Sequence, residues 1–307
     1  MCHTQAFGPS LTSYGREFKL RGYVDGGGSH PLIAPLSAMV RASYTHLGSG
    51  VAAGSEEPGY GARDNFAHDE SSIFLAGRLL PRVGIFSQVT YNGIADTVAL
   101  DNTDIRFANG TRLGGQAIEY GVSVNNAPTV QDVWNTTPVW GYPYASSPLA
   151  PTPGAAALID GGLDGQVAGA TAYALVGGVL YVEGGAYRSF SKDAQKALGT
   201  FAVDENELRG TAPYWRLTLQ NTDAGWNGHY LALGTFGMHA DIRPGRVRGV
   251  GTDTITDLGV DLNYQYLANL RHIFEAKATY IYEDAKLGAS FNPLLGSALN
   301  EIGRAHV

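Results

Sequence analysis

Apolar and polar side chains alternate along most of the chain, and this period sets the reading of everything else. Ile118, Tyr120, Val122 and Val124 interleave with Glu119, Gly121, Ser123 and Asn125. Val260, Leu262, Tyr264 and Tyr266 interleave with Asp261, Asn263, Gln265 and Leu267, and Phe274, Ala276, Ala278, Tyr280 and Tyr282 with Glu275, Lys277, Thr279 and Ile281. Period two places each set on one face of a strand. Further stretches of this kind fall at 38–45, 72–79, 83–92, 170–176, 179–187, 214–220 and 229–239. The chain therefore predicts an all-β fold of about ten to twelve long antiparallel strands. Helical signal is confined to Leu11–Leu20, and Val203–Leu208 reads as an acidic loop. Ala127–Asp160, with six prolines and both Trp134 and Trp140, reads as a long ordered loop. The uncharged run Val167–Val182 carries Gly177-Gly178 at its middle, where a hairpin turn divides it into two strands.

Which face meets water decides the fold. The apolar sets are rich in Ala, Gly and Tyr rather than in the Leu, Ile and Val of a densely packed sandwich core. Only 16% of residues are charged, below the quarter usual for globular domains. A transmembrane antiparallel β-barrel of porin type accommodates both features, with apolar and aromatic side chains outward and polar ones inward. Trp215, Tyr230, Tyr280 and Tyr282 are its candidates for aromatic girdles, and Glu119, Asn125, Asp261, Gln265, Glu275 and Lys277 for lumen positions. The alternative is a secreted β-sandwich, which would bury Ile118, Val122, Leu262 and Phe274 in one core. No polar linker divides the chain, so a single large domain is expected.

Charge and motif searches remove other classes. Net charge is −7 without a basic block, which excludes an electrostatic nucleic-acid footprint. The one cysteine excludes an internal disulfide framework and a Cys-cluster zinc site. The glycine pairs at 161–162, 177–178 and 184–185 form no dinucleotide fingerprint and read as turns and strand kinks, and there is no Gly-x-Ser-x-Gly elbow. Asp101-Asn102-Thr103-Asp104 offers oxygen ligands but lacks EF-hand spacing. Asp253, Asp257 and Asp261 are taken to share a face only on a helix, and so not to cluster.

One segment carries more specific information. After Cys2-His3 stand Pro9, Leu11, Tyr14, Gly15, Arg16, Phe18, Lys19, Gly22 and Tyr23. With Leu100–Phe107 and the run from Asn125 through Trp134 to Gly141, these resemble the fused cytochrome–porin family of outer-membrane electron-transfer proteins of iron-oxidising bacteria. The resemblance implies that residues 1–30 are a c-type haem-attachment segment and that 31–300 are the porin-like barrel. Cys2 would be the second cysteine of a CxxCH motif and His3 the proximal iron ligand, for one haem c. The first cysteine would stand two places ahead of Met1, so this chain alone supplies one thioether. His30, Met39, His46 and His68 are distal-ligand candidates with nothing to separate them from ordinary loop or lumen residues.

The resemblance further implies a bacterial outer-membrane location, lipid as surroundings, periplasmic electron carriers as partners and extracellular ferrous iron as donor. The rival is a passive porin for small polar solutes without haem, the N-terminal segment being a plug or relic. Residues 301–307, Glu-Ile-Gly-Arg-Ala-His-Val, break the strand pattern and read as a translated sequencing adapter without function. The barrel is accordingly expected to be truncated at both ends and incomplete.

Overall fold

In the computed structural model, the alternating segments pair with their sequence neighbours into one antiparallel sheet. The structure describes residues 2–5, 8–24, 36–51, 56–140, 146–151, 156–202, 205–221, 227–269 and 272–292; His30 and the 301–307 segment lie outside them. The strands are β1 (Leu36–His46), β2 (Asp64–Leu80), β3 (Val83–Asn92), β4 (Thr97–Leu113), β5 (Gln116–Asn125), β6 (Val167–Val176), β7 (Leu180–Ser189), β8 (Glu207–Leu208), β9 (Ala212–Gln220), β10 (His229–Arg243), β11 (Asp253–Asn269) and β12 (His272–Lys286). Eleven of the twelve follow one another in chain order across the sheet, an up-and-down meander. The two-residue β8 pairs with β10 and extends the line of β9. β1 pairs with β2 and β12 with β11; β1 and β12 are not paired with each other.

The two ends of the sheet differ. At one, strands join through tight turns such as Gly114-Gly115 (φ +58° and +81°) and Gly177-Gly178 (φ +62° and +72°), a backbone that glycine adopts without steric cost. At the other lie the long connections 47–63, 126–166, 190–211 and 244–252, the third holding a short helix, α2 (Lys192–Leu198).

Polar residues face inward and apolar ones outward, as expected. Asp104, Arg106, Ser123, Glu183, Arg216 and Gln265 are buried on the concave side, while Phe66, Ile73, Val124, Leu219, Val260 and Phe274 are exposed on the convex side. The sandwich alternative fails on this point: Val122 and Phe274 are exposed, and neither Ile118 nor Leu262 is buried. Trp215, Tyr280 and Tyr282 are exposed on the outward face. Tyr230 does not: it is buried, its ring under the Arg16 guanidinium at 3.5 Å and its hydroxyl donating to Gln220 at 2.6 Å.

Two packed clusters occupy the concave side. One cluster gathers Leu20, Val133, Trp134, Tyr173, Tyr181, Tyr230 and Ala232 near the tight-turn end. The other, towards the long-loop end, joins Ile159, Leu163 and Val167 to Tyr187, Tyr214, Phe236 and Met238. No helix among the described residues is long and apolar enough to cross a membrane, a statement without bearing on strands.

Candidate functional site

The N-terminal segment folds as a small unit. His3 bridges Leu11 antiparallel, Thr4 N–H donates to Ser10 O (3.0 Å) and Thr12 N–H to Cys2 O (2.8 Å). Helix α1 (Ser13–Leu20) begins at Thr12, whose hydroxyl accepts from Gly15 N–H as an N-cap. Gly15 packs directly on the Cys2 carbonyl, leaving no room for a side chain, so the Tyr-Gly-Arg sequence is what lets the helix touch the Cys-His dipeptide.

This unit sits inside the curve of the sheet, at the tight-turn end. Gln265 of β11 accepts from Arg16, while its amide donates to Leu11 O (3.0 Å) and to Glu275 of β12 (2.6 Å). Glu275 also accepts from Thr4 (2.9 Å) and Ser10 (2.7 Å). On the opposite wall Tyr173 of β6 donates to Leu20 O (2.5 Å), Arg106 of β4 to Lys19 O (3.2 Å), and Tyr23 to Asp104 (2.7 Å). Arg21 reaches Glu119 at 3.0 Å. Five strands thus hydrogen-bond to the segment, and the six expected lumen residues all lie on the inner side: Glu119, Glu275 and Lys277 half-buried, Asn125, Asp261 and Gln265 buried.

Residues 130–135 of the connection between β5 and β6 reach into the same space. Asn135 donates to Pro9 O (2.6 Å), and Trp134 Nε1–H to the Tyr230 hydroxyl (2.6 Å). Lys19, buried, donates to Val130 O and to Asn135 Oδ1 (2.5 Å). Burial and the neighbouring Arg106 push its ammonium down to about 8. Arg216 is clamped by Asp261 through two 3.0 Å bonds and lies over the Trp134 ring at 4.8 Å.

His3 is exposed and Cys2, which is in no disulfide, is half-buried. His3 Nδ1 lies 2.9 Å from Gly8 O, and with a carbonyl as partner that nitrogen carries the proton. Nε2 is then the ring's lone-pair nitrogen. Partial desolvation of the ring, helped by the Lys19 charge, outweighs the opposite pull of the Gly8 carbonyl and holds the imidazole below its ordinary range, favouring the neutral form that ligates metals. A haem-ligating histidine has this arrangement, since a carbonyl on one nitrogen orients the other. The residues present therefore fit one axial ligand and one thioether.

The other candidates separate. His46 is exposed and bonded to Asp64 (2.7 Å), His68 is exposed and bonded to Ser71 (2.9 Å), and Met39 is half-buried in β1. Asp104 serves as the acceptor for Tyr23, Ser123 and Arg106. Asp253, Asp257 and Asp261 do share a face, contrary to expectation, because a spacing of four is also even in a strand. They remain separate: Asp253 accepts from Ala289 N–H, Asp257 from Ile159 N–H, and Asp261 holds Arg216. Among the described residues no group of three or more His, Cys, Asp or Glu converges as a metal site.

Arg106, Arg216 and Glu183 were not singled out in the sequence, although the first two carry a signal there. Each is a lone cation between outward apolar residues, Ile105-Arg106-Phe107 and Trp215-Arg216-Leu217, which places it on the inner face. Comparisons with models of protein families, with curated proteins and with solved structures give no match.

Proposed function

We propose that this chain is an outer-membrane electron-transfer barrel in which the Cys2-His3 segment, seated in the lumen, holds a c-type haem and passes electrons from extracellular ferrous iron to periplasmic carriers. The observation that carries the reading is the docking of that segment on five strands, with His3 Nδ1 tied to Gly8 O. Bound haem supplies a one-electron iron centre. His3 would hold the iron through Nε2 and Cys2 would carry one thioether, while Gly15 keeps the dipeptide against α1. The outward apolar belt suits lipid, and the convention of short turns on the periplasmic side assigns the plugged end to the periplasm.

The passive-porin reading is disfavoured by the packing of the lumen, where Trp134, Arg106, Arg216, Tyr181 and Tyr214 are all fully buried. An open channel leaves such side chains in water.

The test is a chain extended by Cys-Xaa ahead of Met1 and exported with a c-type maturation system. Haem that stays attached after denaturation, with a spectrum altered by His3→Ala, is the expected result. Absence of covalent haem, together with solute permeability in liposome swelling, would return the assignment to the passive porin.

A further inference from the structure

A second site lies at the other end of the lumen and does not depend on the haem reading. Its walls come from three pieces of chain. The register of β3 against β4 slips between Ser87/Val89 and Leu100/Thr103, a bulge that turns Asp101 inward along with Asp104. The turn through Gly161 and Gly165 (φ +81° and +69°) sets Asp164 opposite, with Gly165 N–H on Asn126 O at 2.9 Å. The left-handed Gly199 (φ +73°) caps α2 and packs directly on Val98 O of β4, which brings Thr200 alongside. Between them is a cavity of about 210 Å³ lined by Thr90, Asn92, Asp101, Asp164, Gly165 and Thr200.

Its oxygens are under-used. Asp164 Oδ1 and Thr200 Oγ1 are closed off from solvent and have no hydrogen-bond partner among the described residues. Asp101 accepts from Thr90 at 3.0 Å, and neither aspartate forms an ion pair among the described residues. Two facing carboxylates with a buried, unpartnered oxygen need a proton or a cation. Besides the apolar Ala99 and Leu100, the lining side chains that can ligate do so through oxygen, without thiolate or imidazole, which selects hard ions over soft ones. The volume admits an ion together with part of its water.

We infer that Asp101, Asp164 and Thr200 form a binding site for a hard divalent cation of the calcium class, reached from the long-loop end of the barrel. The competitor is a proton: burial, then Asp101 and Asp160, push Asp164 up to about 7, and Glu70 adds its charge near Asp101. Cation binding is accordingly strongest above neutrality.

Calorimetric titration of the detergent-folded chain with CaCl2 at pH 8 tests this. One saturable site is expected, weakened at least tenfold by Asp164→Asn, weakened by Thr200→Val and about tenfold at pH 6, and unaffected by Glu57→Gln, an exposed loop carboxylate. Asp101→Asn repeats the test should Asp164→Asn fail to fold, with far-ultraviolet circular dichroism as the control. No saturable heat, or binding equal in wild type and every folded variant, overturns the inference.

Discussion

β9 and β12 carry the same alternation in sequence, yet only one has a buried face. In β9 every second residue from Ala212 to Thr218 is buried, whereas β12 is exposed or half-buried throughout, and β1 resembles it. The difference lies in what each strand faces. Tyr214 and Arg216 of β9 meet Tyr187, Trp134 and Asp261, while the inner side of β12 meets inserted chain only at points, Glu275 taking hydrogen bonds from Thr4 and Ser10 and Glu283 from Leu158 N–H. Alternation specifies a two-faced strand; burial needs a partner that comes from elsewhere in the chain.

The largest effect that tests this contrast is at a buried ion pair. Asp261→Ala leaves the fully buried Arg216 guanidinium unpaired, a change that costs roughly 3–5 kcal/mol. Asp64→Ala, which removes the exposed carboxylate joined to His46 beside β1, should leave the unfolding midpoint unchanged. Guanidinium unfolding of the folded protein in detergent compares them. Equal effects would mean that the two walls do not differ in packing.

Next is Lys19, a buried cation of the plug whose folded value is lowered from 10.5 to about 8. Between those values the unfolded chain binds more protons than the folded one, so this group's contribution to stability rises with pH across that window. Below pH 8 the folded state carries the full penalty, about 3 kcal/mol from the shift. The unfolding free energy of wild type relative to Lys19→Met should climb between pH 8 and 10.5. A flat difference would place Lys19 in water and undo the plug.

The sequence exposed the strands wherever one phase persisted and obscured them where it slipped. β2 was legible only from residue 72 because its pairing with β1 shifts register between Arg41 and Ala42. Outward residues are even before that point, as in Phe66, and odd after it, as in Ile73. β4 hides for the same reason, with Val98 and Ile105 both outward across the bulge. Tyr230 misled because tyrosine suits both an interface girdle and a buried hydrogen bond. Cys2 and His3 stood out only through the residues that follow them. Their seat against the inner face of the sheet depends on Gln265 and Glu275, more than 250 positions away, which no local pattern reveals.

A smaller effect is expected at Trp134, where the inserted loop meets the wall. Trp134→Phe keeps an aromatic ring but a smaller one, removes the Nε1–H that reaches Tyr230, and weakens the stacking under Arg216. A loss of about 2 kcal/mol is expected from a buried bond left unmade. No change in the unfolding midpoint would mean that this loop contributes little to the packed wall.

The smallest effect sits where the two regions touch. Glu275 is the inner-face residue through which β12 holds the N-terminal segment, accepting from Thr4, Ser10 and Gln265 and pairing with Lys277 at 3.1 Å. Glu275→Gln keeps one acceptor oxygen and removes the charge, so global stability should fall by only about 1 kcal/mol. The consequence should be local. Arg16 still binds Gln265 and Lys19 still binds Asn135, so α1 stays seated while residues 2–10 loosen. Limited proteolysis read by mass spectrometry should then find faster cleavage ahead of Leu11, with α1 and the strands as protected as in wild type. Unaltered cleavage would mean that β12 adds nothing to the docking of the segment, and cleavage spreading into α1 would mean that the segment and the terminal strand come away as one unit.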